Sequence, residues 1–312
     1  MSDSVNPKKL KFLSEIILLS ITLFWGGTFA IVKESLNDAS ALMFIAIRFS
    51  IAALILLILF YRQIKNIDKE SLKHGFILGV FLFLGFALQT AGLKFTTATK
   101  SGFITGSLVV MIPIFQTVIE KRPPTLGAIF GTVFVFVGIV FLSSGGNSFF
   151  AIFEELGANF NIGDLLSLFC AVAFALYIVF LDIYSYKHDF KILTFLQVAV
   201  TAGLAFVITF LFDVTNIEAI EINVTGNLIF GLLYTAIFAS VMATMLQTKY
   251  QKNVTPTKAG IIFSFEPIFA AIFAFFLLSE KITNLGFIGC TLIFSGLLIS
   301  ELYENLVKAN GK

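Results

Sequence analysis

Apolar runs of one characteristic length recur along the whole 312-residue chain, parted by short charged or Gly/Asn-rich pieces such as "YRQIKNIDKESLKH", "EKRPP" and "DVTNIEAIEINVTGN". A run of about 20 apolar residues matches what a helix needs to cross ~30 Å of hydrocarbon at ~1.5 Å per residue. The pattern predicts ten spans at 13–33, 41–61, 74–93, 100–119, 125–143, 163–182, 192–212, 227–247, 258–279 and 285–302. Barrel strands would be shorter and would alternate apolar with polar residues; these runs do not. The expected fold class is an all-α integral membrane protein with ten transmembrane helices.

Composition agrees. Hydrophobic residues make up 58% of the chain and charged residues 13%, against ~25% charged in soluble domains. Lys and Arg set the orientation. With both termini in the cytoplasm, the inner segments collect sixteen basic residues, among them Lys8, Arg62, Lys69, Lys121, Arg122, Lys187, Lys252 and Lys258. The outer ones hold only Lys33, Lys94, Lys100 and Lys281. That asymmetry places the chain in the cytoplasmic membrane, multi-pass, and accounts for the basic residues without nucleic acid. The basic lead "MSDSVNPKKLKFL" reads as the approach to the first span rather than a cleaved signal. Cys170 and Cys290 fall inside spans, so no disulfide framework is expected.

The two halves overlay. With a shift of 158, Gln89-Thr90 falls on Gln247-Thr248, and Thr97, Thr99, Lys100 and Gly102 on Thr255, Thr257, Lys258 and Gly260; Gly131 and Gly138 meet Gly289 and Gly296. Two five-helix repeats, 13–143 and 163–302, are expected. An odd number of spans inserts the second upside down, an arrangement used by transporters with a midplane substrate site.

The stretches "LFWGGTFAIVK" at 23–33, "AIRFSIAALILL" at 46–57 and "TPTKAGIIFSFEPIFAAIFAFFLLSEKIT" at 255–283, with the two-by-five repeat, resemble the EamA-type family of the drug/metabolite transporter superfamily. The resemblance implies inverted repeats around a central cavity and export of small metabolites or drugs. The chain departs from the family pattern at Arg122, opposite Glu280, and at Ser279-Glu280, where the resemblance implies a helix-end glutamate in both halves and Gly-Glu.

Helical rise from the predicted span ends places Glu266 roughly 12 Å above the inner face, Arg48 roughly 18 Å, and Trp25 and Gln89 about 20 Å. A charged group at such depth is costly unless it faces a wet cavity or a partner. Glu266 is a candidate to bind a cationic group or carry a proton. Arg48 is a candidate to bind an anionic group, with a structural ion pair between Arg48 and Glu266, or Arg48 hydrogen-bonded to helix-end carbonyls, as the alternative. Pro267 and Pro113 are expected to kink spans nine and four, with Glu266 pushed out of helical geometry. Gly26 and Gly27 admit a close neighbour, and Trp25 and Thr28 are candidates for the cavity wall. Gln89 is a further site candidate, as is Tyr177, the counterpart of Thr28 under a shift of 149 that also sets Arg48 against Gln197; Gln247 reads as interfacial.

The expected function is a secondary transporter exporting a small solute (amino acid, amine or drug-like) by alternating access, with protons as possible co-substrate and no cofactor or metal. A facilitative channel and a receptor or scaffold remain open. An enzyme is disfavoured, because the two histidines, His74 and His188, lie at span ends and no metal-ligand or nucleophile spacing appears.

Overall fold

The computed structural model describes residues 7–143, 148, 150, 153–154, 157, 160–278 and 284–310. Glu280, Lys281 and Ser279, which entered the orientation and family arguments, lie outside the described residues. Among the described residues, nine helical stretches are long and apolar enough to cross a membrane, from Lys8–Ser35 to Asn284–Tyr303. A tenth segment is built from two shorter helices. The described residues are helical apart from connecting turns and one isolated bridge between Ala39 and Ile222. Large apolar side chains such as Ile58, Val118, Phe210 and Phe230 stand on the outside of the bundle, as a hydrocarbon surround allows.

The first span is α1 (Pro7–Gly26) and α2 (Thr28–Ser35); the second and third are α3 (Ala41–Ile64) and α4 (Lys69–Leu93). The fourth is α5 (Ala98–Gly106) and α6 (Leu108–Phe115), continued by a π-helical turn at Gln116–Glu120, and the fifth is α7 (Leu126–Ser143). Spans six and seven are α8 (Ile162–Ser185) and α9 (Phe190–Val214). The eighth runs through α10 (Gly226–Tyr234), a π-helical stretch at Thr235–Met242 and α11 (Ala243–Tyr250). The ninth is α12 (Pro256–Phe263) and α13 (Glu266–Leu278), and the tenth is α14 (Asn284–Asn310). We call the end of the bundle at which α1 begins the N-terminal end.

Local chemistry explains the helix starts. Asp68 caps α4 in a reciprocal box with Ser71, and Asn161 caps α8 with Asp164. Thr97 and Thr255 cap α5 and α12, each accepting from the backbone N–H three residues on. At the opposite end, Lys33 Nζ donates to the carbonyls of Leu93 and Thr96 at 3.0 and 2.7 Å, supplying donors to carbonyls a helix end leaves free.

The breaks differ from the expected proline kinks. Span nine stops at Phe263 and restarts at Glu266, so Pro267 occupies the first turn of α13. There its missing N–H costs nothing, because first-turn donors have no intrahelical acceptor. Glu266 is thus helical rather than expelled from helical geometry. Span four breaks at Ser107, six residues before Pro113, which sits inside α6. The prolines are out of register, but the breaks are not: Ser107 corresponds to Phe265 under the 158-residue shift. Each interruption carries a hydroxyl that donates to a local carbonyl: Thr28 to Trp25 O, Ser107 to Ile104 O, Ser264 to Gly260 O, and Thr235 to Gly231 O, at 2.6 to 2.9 Å.

Spans five and ten pack backbone to backbone. A Cβ on Gly131 would lie 2.7 Å from Gly296 O, and one on Gly138 would lie 2.8 Å from Gly289 O. The reverse contacts are as tight, at 2.7 and 2.6 Å. Such close approach is how helices associate where apolar burial gives no driving force between them. Gly289→Ala is expected to cost about 1–3 kcal/mol through overpacking and to lower the apparent Tm in detergent by several degrees. Gly203→Ala, where nothing lies within 4 Å, is the control and should leave it unchanged or raise it.

Candidate functional site

Three of the helix interruptions meet at one cavity of about 80 Å³, room for a few water molecules. Span one gives it Trp25 and Thr28, span four gives Gly106 and Leu108 on either side of Ser107, and span nine gives Phe263, Ser264, Glu266 and Pro267. Spans three, six and eight close it with Phe86 and Gln89, Phe174 and Tyr177, and Thr244 and Gln247. Six aromatic residues, Trp25, Phe29, Phe86, Phe174, Tyr177 and Phe263, line it. Trp25 meets Phe263 edge-on with centroids 5.3 Å apart, and Phe86 meets Phe174 edge-on at 5.1 Å.

Glu266 stands where α13 begins and lines the cavity. Its carboxylate has no hydrogen-bond or ion-pair partner among the described residues. A helix start is a favourable place for a negative group, since the N-terminal peptide dipoles carry partial positive charge. Gly26 sets the fit of the neighbouring backbone. A Cβ there would lie 2.8 Å from Phe269 Cβ, 2.9 Å from Ala270 N and 3.1 Å from Glu266 O, so α1 and α13 touch beside the carboxylate. A Cβ on Gly27 would come within 3.1 Å of Tyr234 Oη, itself donating to Phe24 O.

Of the candidates read from the sequence, the structure gathers Trp25, Thr28, Gln89, Tyr177 and Glu266 around one space and leaves Arg48 out of it. Arg48 is 2% exposed. Its Nε donates to Ser240 Oγ at 2.8 Å, and its guanidinium lies 4.5 Å from the Phe86 centroid and 5.1 Å from that of Phe49. It makes no ion pair with Glu266. Arg48 therefore lies one aromatic ring behind the cavity, its guanidinium against ring faces and a hydroxyl, with Nη2 buried and without a hydrogen-bond partner among the described residues. Gln197, its counterpart in the shift of 149, is equally buried and donates to Thr248 Oγ1 at 2.8 Å.

Gln247 corrects the interfacial expectation. It is 3% exposed, lines the cavity and donates to Gln251 Oε1 at 2.9 Å. Span eight, expected to end at 247, runs on to Asn253, so Gln247 lies more than one helical turn inside it. The two histidines also meet. His74 Nδ1 lies 2.6 Å from His188 Nε2, with Glu70 close by and the His74 ring stacked on Tyr184.

The sequence pattern of the EamA-like transporter family matches residues 12–144 and again 161–302. The chain belongs to that family. An uncharacterized transporter of Archaeoglobus fulgidus is 35% identical over 289 residues, covering 93% of this chain and 86% of the relative. The uncharacterized transporter YoaV of Bacillus subtilis is 28% identical over 299 residues, covering 91% and 94%. A crystal structure superposes with a TM-score of 0.74 over 94% of this chain and 98% of the other at 17% identity, a likeness of fold alone. The relatives' names are those of transporters rather than enzymes, and the cavity is that of a multi-pass EamA-family membrane transporter.

Phe86, Phe174, Thr244 and Ser264 of this EamA cavity escaped the sequence reading. Thr244 and Ser264 carry no charge to mark their depth, and the chain's 39 phenylalanines hide the two that line the space beside Gln89 and Tyr177. The placement of Arg48 makes a sharp prediction. In thermal unfolding, a double-mutant cycle of Arg48→Met with Ser240→Ala should show coupling of about 1–3 kcal/mol. The cycle of Arg48→Met with Glu266→Gln should show less than about 0.5 kcal/mol.

Proposed function

We propose that this protein is a secondary transporter that exports a small metabolite, an amino acid, amine or drug-like solute, across the cytoplasmic membrane by alternating access. The observation that carries the reading is Glu266: a carboxylate without a partner among the described residues, at a helix break, opening on an aromatic-walled cavity between spans drawn from both halves of the chain. A carboxylate in that setting calls for a cation. The cation is the ammonium of a substrate or a proton taken up in exchange. Trp25, Phe86, Phe174 and Tyr177 supply faces for the apolar part of the solute or for its positive charge. Thr28 and Gln89 supply polar groups.

The two family matches, 12–144 and 161–302, and the paired breaks at Ser107 and Phe265 support reading the chain as two inverted five-helix repeats with the cavity between them. The excess of Lys and Arg at the N-terminal end supports cytoplasmic termini. Arg48 supports the site from behind by holding Phe86 in place.

Counterflow of labelled amino acids and amines into proteoliposomes tests the reading. Saturable exchange is expected; flux that never saturates would assign a channel instead. Glu266→Gln should lower counterflow at least tenfold and flatten its pH dependence, while the protein remains monodisperse in detergent. Wild-type rates with unchanged pH dependence in that variant would remove Glu266 from the mechanism.

A further inference from the structure

Outside the cavity, two buried lysines hold matching places. Lys100 is the third residue of α5 and Lys258 the third of α12. Each half-helix starts after a threonine, Thr97 or Thr255, whose Oγ1 accepts from the lysine's own backbone N–H. Seven residues beyond each lysine the span breaks, at Ser107 and at Phe265. Both lysines, expected as the first residues of spans four and nine and counted as orientation charges, are 4% and 2% exposed and lie within helices.

Both lysines reach across to a neighbouring span. Lys100 Nζ lies 2.9 Å from Asp164 Oδ2 on α8, and the other oxygen of that carboxylate accepts from Thr96 Oγ1 at 2.6 Å. Lys258 Nζ lies 2.6 Å from Glu15 Oε1 on α1 and also pairs with Glu301. Glu15 and Asp164 correspond under the same 149-residue shift that relates Thr28 to Tyr177. One arrangement, a half-helix pinned by its lysine to an acid on the neighbouring span, thus occurs twice. Spans four and nine each begin where the lysine sits and run in opposite directions, so the pairs lie at opposite ends of the bundle.

The cavity lies between them. Gly102, Thr105 and Gly106 of α5 and Phe263 of α12 line it, within about two helical turns of the lysines. A buried ion pair gives little net stability over an apolar substitute, so fold stability is a poor account of a pair that recurs with its cap and its hinge. Exchange between a paired, dry state and an open, hydrated state is a better one, because water entering at an opened end solvates both charges.

We propose that Lys258–Glu15 and Lys100–Asp164 are the two latches of the transport cycle. The first closes the N-terminal end of the cavity and the second closes the opposite end. Each releases its half-helix, α12 or α5, to swing about the break behind it. Both pairs are formed in this structure. This rests on the alternating-access reading above.

The test is side-specific labelling of Ser264→Cys in a Cys170→Ala/Cys290→Ala background. A membrane-impermeant methanethiosulfonate is added to vesicles whose sidedness is fixed by protease access to an N-terminal tag. Lys258→Met is expected to raise the labelling rate about tenfold from the N-terminal side and lower it several-fold from the other; Lys100→Met is expected to do the reverse. Should a single change leave an acid stranded and the protein unfolded, Lys258→Met/Glu15→Leu/Glu301→Gln and Lys100→Met/Asp164→Leu remove the paired charges and should give the same opposite biases. Rates equal to the parent's, or changes of the same sign on both sides, would overturn the latches and leave the transport reading standing. A parent protein labelled rapidly from both sides at once would overturn alternating access itself.

Discussion

A backbone N–H or C=O left unpaired in hydrocarbon costs several kcal/mol, and this one constraint governs where the chain can bend. Breaks are tolerable only where protein surrounds them and something nearby accepts or donates in place of the missing turn. The interruptions at Gly27, Ser107 and Ser264–Phe265 obey it: each has a local hydroxyl bonded to a carbonyl, and each abuts the same cavity. These three bends are gathered at one place, whereas the π-helical stretch at Thr235–Met242 and the kink at Phe60 do not line the cavity. Gathering these three at one cavity puts Glu266, Gln89, Gln247 and several hydroxyls on its wall, and that wall is where a solute can be bound without crossing lipid.

The same constraint explains what was legible in the sequence. Ten spans could be read because helices of membrane length leave an apolar signature that tertiary contacts hardly alter. Glu266 could be placed at depth because a carboxylate there has few excuses. Its relation to Arg48 could not be read. Axial height says nothing of azimuth, and Arg48 faces Ser240 and the rings of Phe86 and Phe49 instead. Arginine tolerates such a place because its delocalised guanidinium is weakly hydrated and stacks on aromatic faces. Gln247 was misjudged for a different reason: the polar run from Gln247 to Asn253 reads as a loop, yet the span continues to Asn253.

Lys100 and Lys258 show a third kind of failure. Near the ends of apolar runs, a lysine ordinarily belongs to a loop and reports orientation. Here a threonine cap three residues earlier starts the helix before the lysine and carries it inside the bundle. The duplication held the clue: Thr97 and Lys100 fall on Thr255 and Lys258, while Glu15 and Asp164 fall on each other under the second shift. Two registers, one relating the two lysines and the other the two acids that pair with them, are hard to explain by topology signals alone, because a charge that serves only orientation needs no partner.

Span one ties these features together. Its Glu15 pairs with Lys258 on α12, and Gly26 meets Phe269 and Ala270 on α13, so α1 touches span nine on both sides of the break. Between those two points α1 presents Trp25 to Phe263, the last residue of α12. A change of angle between α12 and α13 cannot occur while both contacts hold. The glycine contact is backbone against backbone and has no side chain to re-pack, whereas the ion pair can be replaced by water on each charge. The weaker attachment is therefore at Lys258, and motion of span nine is expected to begin there, with Glu266 held by Gly26 as the fixed point about which the cavity opens.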